Sequence, residues 1–195
     1  TTDIDPTGVD SNHDVFVIPA TGGTARNLTT DNPASDGHPL YSPDGRYLAF
    51  SRQTIKGFYA DRARLVLHDR AAGTNRVLTD AWDRSVDGLV WTPDSTALYG
   101  AIDDAGTIRI YRIDATSGAP APLTAERSFS DLALAADGKT LVAIRQSFVE
   151  PPTLVRVDPA TGAATRLSTF NDELLAGVQW GTYESVTYTG ARGEP

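Results

Sequence analysis

Short apolar runs recur along the chain, separated by Gly, Pro, Asp and Ser, and four of them sit at the same place in a longer pattern. In each copy a Gly is followed five residues later by Leu and then by Thr or Ser: Gly23 to Leu28-Thr29, Gly73 to Leu78-Thr79, Gly118 to Leu123-Thr124 and Gly162 to Leu167-Ser168. The four leucines are 50, 45 and 44 residues apart, the period of a four-stranded β-propeller blade. A unit of this kind cannot bury its apolar face alone and must stack on a neighbour.

The rest of the pattern keeps phase with that anchor. Before it lies an apolar run: Val15 to Ile18, Leu65 to Leu67, Ile108 to Ile113, and Leu154 to Val157. After it comes a short run closed by an aromatic residue or Leu: Leu40-Tyr41, Leu89-Val90-Trp91, Leu132-Ala133-Leu134, and Val178-Gln179-Trp180. Three copies continue into a turn, Pro43-Asp44-Gly45, Pro93-Asp94-Ser95 and Ala136-Asp137-Gly138. There Pro presets φ, and Asp and Gly suit left-handed or side-chain-bonded positions. A run rich in β-branched and aromatic residues follows, at 47–51, 98–102, 141–144 and 186–188. Short runs with turn signals at this spacing predict an all-β protein, and no stretch sustains a helical period. The expected fold is an array of about four β-propeller blades, each a four-stranded antiparallel sheet.

Lettering the strands of a blade A (aromatic-ended), B, C and D (carrying the anchor) predicts one partial propeller domain over 1–195. Residues 13–30 supply C and D, residues 36–80, 86–125 and 130–169 supply full sets, and residues 176–190 supply A and B. The two half sets are complementary, so the outer blade is expected to be split between the termini, as in rings that hide their edges this way. Three assemblies fit: a closed four-bladed ring, an open arc pairing with a second copy through its half blades, and a piece of a larger propeller. The absence of Met and the mid-blade start favour the third.

At 195 residues and 40% apolar content the chain can bury a sizeable core. No window resembles a membrane span or an export signal. A net charge of −8 argues against nucleic acid or an anionic membrane as partner. Of 17 basic residues only Lys56 and Lys139 are lysines; the arginines suit fixed pairing with carboxylates, and a biased source composition explains the excess equally well.

Candidate chemistry is sparse. There is no Gly-x-Ser-x-Gly elbow, no His-Glu-x-x-His and no phosphate loop. With no Cys, neither disulfides nor thiolate-bound metal are expected. His13, His38 and His68 read as loop or strand-end residues rather than catalytic bases. Asp3, Asp5, Thr7, Gly8, Ser11 and Asp14 have partial calcium-loop spacing, but Pro6 and the lack of helices favour a solvated acidic hairpin loop. No metal or cofactor is expected. The longest insertion, Gln53 to Arg64, falls between strands B and C of the first full blade. Its Tyr59 and Arg62 are candidate substrate-binding residues, because recognition groups concentrate on such loops; a solvated loop with an internal Asp61–Arg pairing is the competing reading. The third candidate is Glu150, in the corresponding connection of the third full blade. Pro151-Pro152 would stiffen that connection, and Glu150 could receive an amine.

Two strings, Tyr41-Ser-Pro-Asp-Gly-Arg-Tyr-Leu-Ala-Phe50 and Trp91-Thr-Pro-Asp-Ser95, resemble repeats shared by TolB-type propellers and prolyl oligopeptidase (S9) family serine peptidases. Three more sharpen this toward the bacterial dipeptidyl aminopeptidase and acylaminoacyl peptidase type: Asp14 to Thr29, Gly57 to Leu65, and Glu184 to Pro195. The last resembles the crossover from the family's propeller into its α/β-hydrolase domain. The resemblance implies the later half of a propeller that covers a Ser-Asp-His triad in the following domain. Such a propeller admits short or unfolded peptides and contacts the substrate's amino end. It transfers no catalytic position to this chain. The implied partners are a peptide substrate and the hydrolase domain, and the compartment stays open between periplasm and cytoplasm.

Overall fold

The computed structural model describes residues 2–4, 11–125 and 127–193. Its strands in chain order are β1 (Thr2–Ile4), β2 (Ser11–His13), β3 (Phe16–Val17), β4 (Arg26–Asn27), β5 (Asp36–Tyr41), β6 (Tyr47–Arg52), β7 (Arg64–Asp69) and β8 (Thr74–Val77). They continue with β9 (Val90–Trp91), β10 (Ala97–Asp104), β11 (Thr107–Asp114), β12 (Pro120–Pro122), β13 (Ser128–Leu134), β14 (Leu141–Ser147), β15 (Glu150–Val157) and β16 (Ala164–Arg166), before a single helical turn, α1 (Asp172–Leu175). Three four-stranded antiparallel meanders result, β5–β8, β9–β12 and β13–β16, together with the pairs β1–β2 and β3–β4. These are propeller blades.

The blades stack because the central strands carry apolar residues on each face that meets a neighbouring blade. On β7, Leu65 and Leu67 join a cluster with Leu98, Ile102 and Ile113 of the second blade. Between them, Val66 points the other way, to Val15, Leu28, Leu48 and Phe50. On β11 the same alternation sends Ile113 and Tyr111 back to the first blade and Ile110 forward to Phe129, Leu141, Val155 and Val157 of the third. Full burial of such side chains is worth about 1.5–3 kcal/mol each, so the interfaces between sheets, rather than any one sheet, carry the stability.

The repeated anchor has a specific job. The Leu N–H of each copy donates to the carbonyl of the residue thirteen positions earlier: Leu28 to Val15, Leu78 to Leu65, Leu123 to Ile110 and Leu167 to Leu154, all at 2.7–2.8 Å. The following hydroxyl accepts the N–H of that same residue: Thr29 from Val15, Thr79 from Leu65, Thr124 from Ile110 and Ser168 from Leu154. A Thr or Ser oxygen thus replaces a backbone carbonyl where strand D turns away from strand C, and the strand C N–H at that point is paired. The Gly of the signature has a second role besides its positive φ. A Cβ at Gly118 or Gly162 would strike the carbonyl of Leu78 or Leu123 in the preceding blade, whereas Gly73 has open space there, so in those two copies the Gly and the preceding Leu form one inter-blade contact.

Two expectations need correction. Residues 176–190, expected to form strands A and B, carry no strand and are almost wholly exposed. No strand from that segment pairs with β3–β4, which stays two-stranded. The split outer blade is therefore not formed, and among the described residues no buried cluster joins the third full blade back to β3–β4. A strand pays its ordering entropy only when its groups find partners and a face to cover, and the half set finds neither. Second, Glu150-Pro151-Pro152 is not a turn but the start of β15, with Ser147 opposite Glu150 and a register shift after Arg145. β16 pairs only with 155–157, so the prolines lie where the outer edge of the strand asks for no N–H. The calcium-like spacing falls mainly on 5–10, outside the described residues; β1 and β2 pair on either side of it.

Candidate functional site

An antiparallel meander puts its A–B and C–D turns at one end and its B–C hairpins and D-to-A connections at the other. The two ends differ in kind. At the first, Asp44, Asp69, Asp94 and Asp114 spend their carboxylates on nearby turn N–H and hydroxyl groups. These bonds hold all four below the usual carboxylate range. Ser95, at φ 60, occupies the position that Gly45 and Gly138 fill in the other blades, and its hydroxyl accepts the Asp44 N–H of the neighbouring blade. This end is tied to itself.

The second end carries an Arg–carboxylate cluster on each blade, close to where strand B stops. In the first blade Arg52 donates from Nε to Asp36 at 2.6 Å and from both terminal nitrogens to Asp31 at 3.0 and 2.9 Å. Asn32 completes the set, donating to Asp36 at 2.9 Å. Burial pushes Asp36 up to about 6 despite these donors, whereas the Arg52 hydrogen bonds hold Asp31 below its ordinary value. In the second blade Asp104 receives Arg84 at 2.9 Å and the Tyr111 hydroxyl at 2.7 Å. Hydrogen bonds from Tyr111 and then Arg84 hold it below its ordinary value. In the third, Arg145 grips Glu150 in a fork, at 3.0 and 2.5 Å.

Between the second and third clusters lies a cleft of about 650 Å³. Arg109 and Ala105-Gly106-Thr107 of the β10–β11 hairpin line it, with Arg127 and Ser128 at the start of the next blade. Phe148 joins them from the β14–β15 hairpin, and Tyr183 and Glu184 from the C-terminal tail. Phe148 and Tyr183 meet as a tilted ring pair with centroids 5.3 Å apart, an arrangement that aromatic quadrupoles favour.

The three residues singled out from sequence do not converge. Arg62 donates to the carbonyls of Trp82 and, at 2.8 Å, Asp80, so it braces the next connection instead of facing solvent as a ligand group. Tyr59 is 92% exposed; its backbone carbonyl, with that of Asp61, takes Gln53 Nε2. Asp61 caps Thr54 and Ile55 N–H and pairs with Arg64 at 3.2 Å, the internal Asp–Arg pairing that competed with recognition. Glu150 is held by Arg145, with Arg127 3.6 Å away. It borders the cleft region through Arg127.

Among the described residues one Ser–His–Asp grouping comes together. Asp87 lies 3.2 Å and Ser51 Oγ 3.4 Å from His38, but both face the same ring nitrogen, Nδ1, and Ser51 donates to the Gly37 carbonyl at 3.1 Å. A triad sets its serine on one ring nitrogen and its acid on the other, an arrangement this contact does not have. His68 is buried against Asn75 at 2.8 Å.

Arg109 and Arg127 were missed in the sequence. The signal was a charged residue at or near the end of each B strand, Arg52, Asp104 and Arg145, where an apolar pattern would continue.

The chain is 28% identical over 166 residues to dipeptidyl-peptidase 5 of Porphyromonas gingivalis, covering 85% of this chain and 24% of that protein. To dipeptidyl-peptidase 5 of Porphyromonas endodontalis it is 30% identical over 168 residues, covering 86% and 24%. It thus spans about a quarter of the length of these curated relatives. No family model matches. Among solved structures, puromycin hydrolase superposes with a TM-score of 0.69 at 19% identity over 86% of this chain and 28% of the other. A TolB protein of Agrobacterium tumefaciens superposes with 0.61 at 20% identity over 85% and 58%.

Proposed function

Since the chain belongs to the β-propeller part of the prolyl oligopeptidase (S9) peptidase family, we propose that it is a non-catalytic cover that gates peptide access to an α/β-hydrolase active site. The observation that carries this reading is the match across 85% of the chain to a dipeptidyl-peptidase, on a stack of blades in which Ser51 and Asp87 meet His38 through a single ring nitrogen. The mechanism is exclusion. Rigid blades admit short or extended peptides and reject folded protein, and the cover keeps bulk water and large substrates from the reacting groups. The self-tied turn end suits a structural rim, and the loop end, with its clusters and cleft, suits the face that meets substrate and the hydrolase domain.

The test is direct. The purified chain should not cleave a dipeptidyl chromogenic substrate, while a protein carrying the following domain should; turnover by the chain alone would overturn the non-catalytic role. For gating, loosening the blade stack in the longer protein should increase cleavage of long peptides relative to dipeptidyl substrates. An unchanged ratio would refute exclusion. The TolB superposition, which spans more than half of that protein, favours a second reading, a stand-alone binding scaffold. A coding sequence continuing past Pro195 into a His-Gly-Gly segment and Gly-x-Ser-x-Gly decides for the peptidase. A monodisperse monomer that captures a protein partner decides for the scaffold.

A further inference from the structure

The arginines of the cleft stand second in line for the acids near them. Asp104 gives Oδ1 to Arg84 and Oδ2 to the Tyr111 hydroxyl, leaving Arg109 Nη1 a looser approach to Oδ2 at 3.4 Å. The Arg109 Nε–H is buried and finds no acceptor, a state that costs about 1–3 kcal/mol if nothing answers it. Glu150 is likewise committed to the Arg145 fork. Arg127 reaches it only at 3.6 Å and donates to Ser147 Oγ at 2.9 Å. Arg127 also sits at φ 109, a backbone state that side chains rarely adopt and that marks functional positions when the surroundings impose it.

Two guanidinium groups therefore line one cleft with donors left over, in a chain whose net charge is −8. Of the described lining residues only Glu184 opposes them in sign. At the same cleft Phe148 is 82% exposed beside Tyr183, which offers an apolar platform next to the positive groups. We propose that this cleft binds a carboxylate joined to an aromatic or apolar group, as at the C-terminal residue of a short peptide. The carboxylate takes the loosely paired terminal nitrogens of Arg109 and Arg127, which suit a planar two-oxygen acceptor, and the apolar group packs on Phe148. The assignment is independent of the gating role.

The experiment is isothermal titration of the full chain with N-acetylphenylalanine and with its amide. The acid is expected to bind about tenfold more tightly than the amide, one charge-assisted contact being worth about that factor. Arg109→Gln and Arg127→Gln should each weaken the acid about fivefold or more and leave the amide unchanged. Glu184→Gln should tighten the acid by removing a like charge. Phe148→Ala should weaken N-acetylphenylalanine but not acetate, which separates the platform from the charge site. Melting curves identify any variant that fails to fold; Arg109→Gln leaves the strained backbone of Arg127 untouched and serves as the second reading. Equal affinity for acid and amide, folded Arg variants that bind like the parent chain, or no binding of the acid at about 50 mM would each overturn the proposal. None of these results bears on the hydrolysis assay that tests gating.

Discussion

The Arg52 cluster of the first blade and the Arg109–Arg127 pair of the cleft use the same chemistry at the same end of the stack, with opposite outcomes. Arg52 is buried and all three of its nitrogens are matched to two carboxylates. Asn32 closes the remaining side of Asp36. Arg109 and Arg127 meet acids already taken by better-placed partners. A sealed, fully matched cluster is a structural joint; an open one with surplus donors is a place for something else to bind. The residue type does not separate the two cases, but the count of partners does.

The comparison breaks most easily at Arg52. Replacing it with Met strands a buried Asp36, so Arg52→Met should cost about 3–5 kcal/mol in urea unfolding. Arg109→Met should cost under about 1 kcal/mol, as expected for a partly exposed pair. Equal losses would erase the distinction between joint and site.

The pH dependence sharpens the same point. Asp36 has a folded pKa raised from 3.8 to about 6. A raised pKa means that the folded state favours the protonated form, so the group's contribution is fully present below 3.8 and is lost as pH rises through about 6. The expected difference is of order 2–3 kcal/mol. Asp104 runs the other way: its pKa is lowered, so its contribution holds above the ordinary carboxylate range and fades as acid protonates it. Asp36→Asn should therefore remove a loss of stability between pH 4 and 7, measured as the parent-minus-variant difference in unfolding free energy. A flat difference would show that Asp36 is ionised without penalty.

A smaller effect separates ion clusters from the hydroxyl anchor as the device that holds this end of a blade. Thr79→Val keeps the shape but leaves the Leu65 N–H without its acceptor, which should cost about 1–3 kcal/mol. Thr79→Ser should recover most of it. No recovery would mean that the methyl group, not the oxygen, is what the position needs.

Much of this was legible along the chain. The Gly…Leu-Thr repeat marked the strand C to strand D hairpins because one backbone solution, a positive-φ turn followed by a hydroxyl-capped strand, recurs in every copy. The A–B turns were legible for the same reason. The tail was misread because Val178-Gln179-Trp180 and Val186-Thr187-Tyr188 have strand composition, yet strand formation depends on a partner edge that composition does not supply. The β15 prolines were misread as a turn because only pairing on the far side reveals that their missing N–H groups are not required. The candidate residues fared similarly. Arg62 and Glu150 were chosen as charges on loops, and both proved to be engaged by groups 18 to 20 and 5 residues away.

What the amino-acid order determined by itself is local: where the chain turns, which residues alternate into sheet faces, and that successive sheets must cover one another. Those follow from backbone preferences and from period-two apolar patterning, which act over a few residues. Only the tertiary structure decided which arginines are spent and which are spare. That outcome depends on competition among donors and acceptors brought together from neighbouring blades, and hydrogen-bond geometry ranks the competitors by fractions of an ångström.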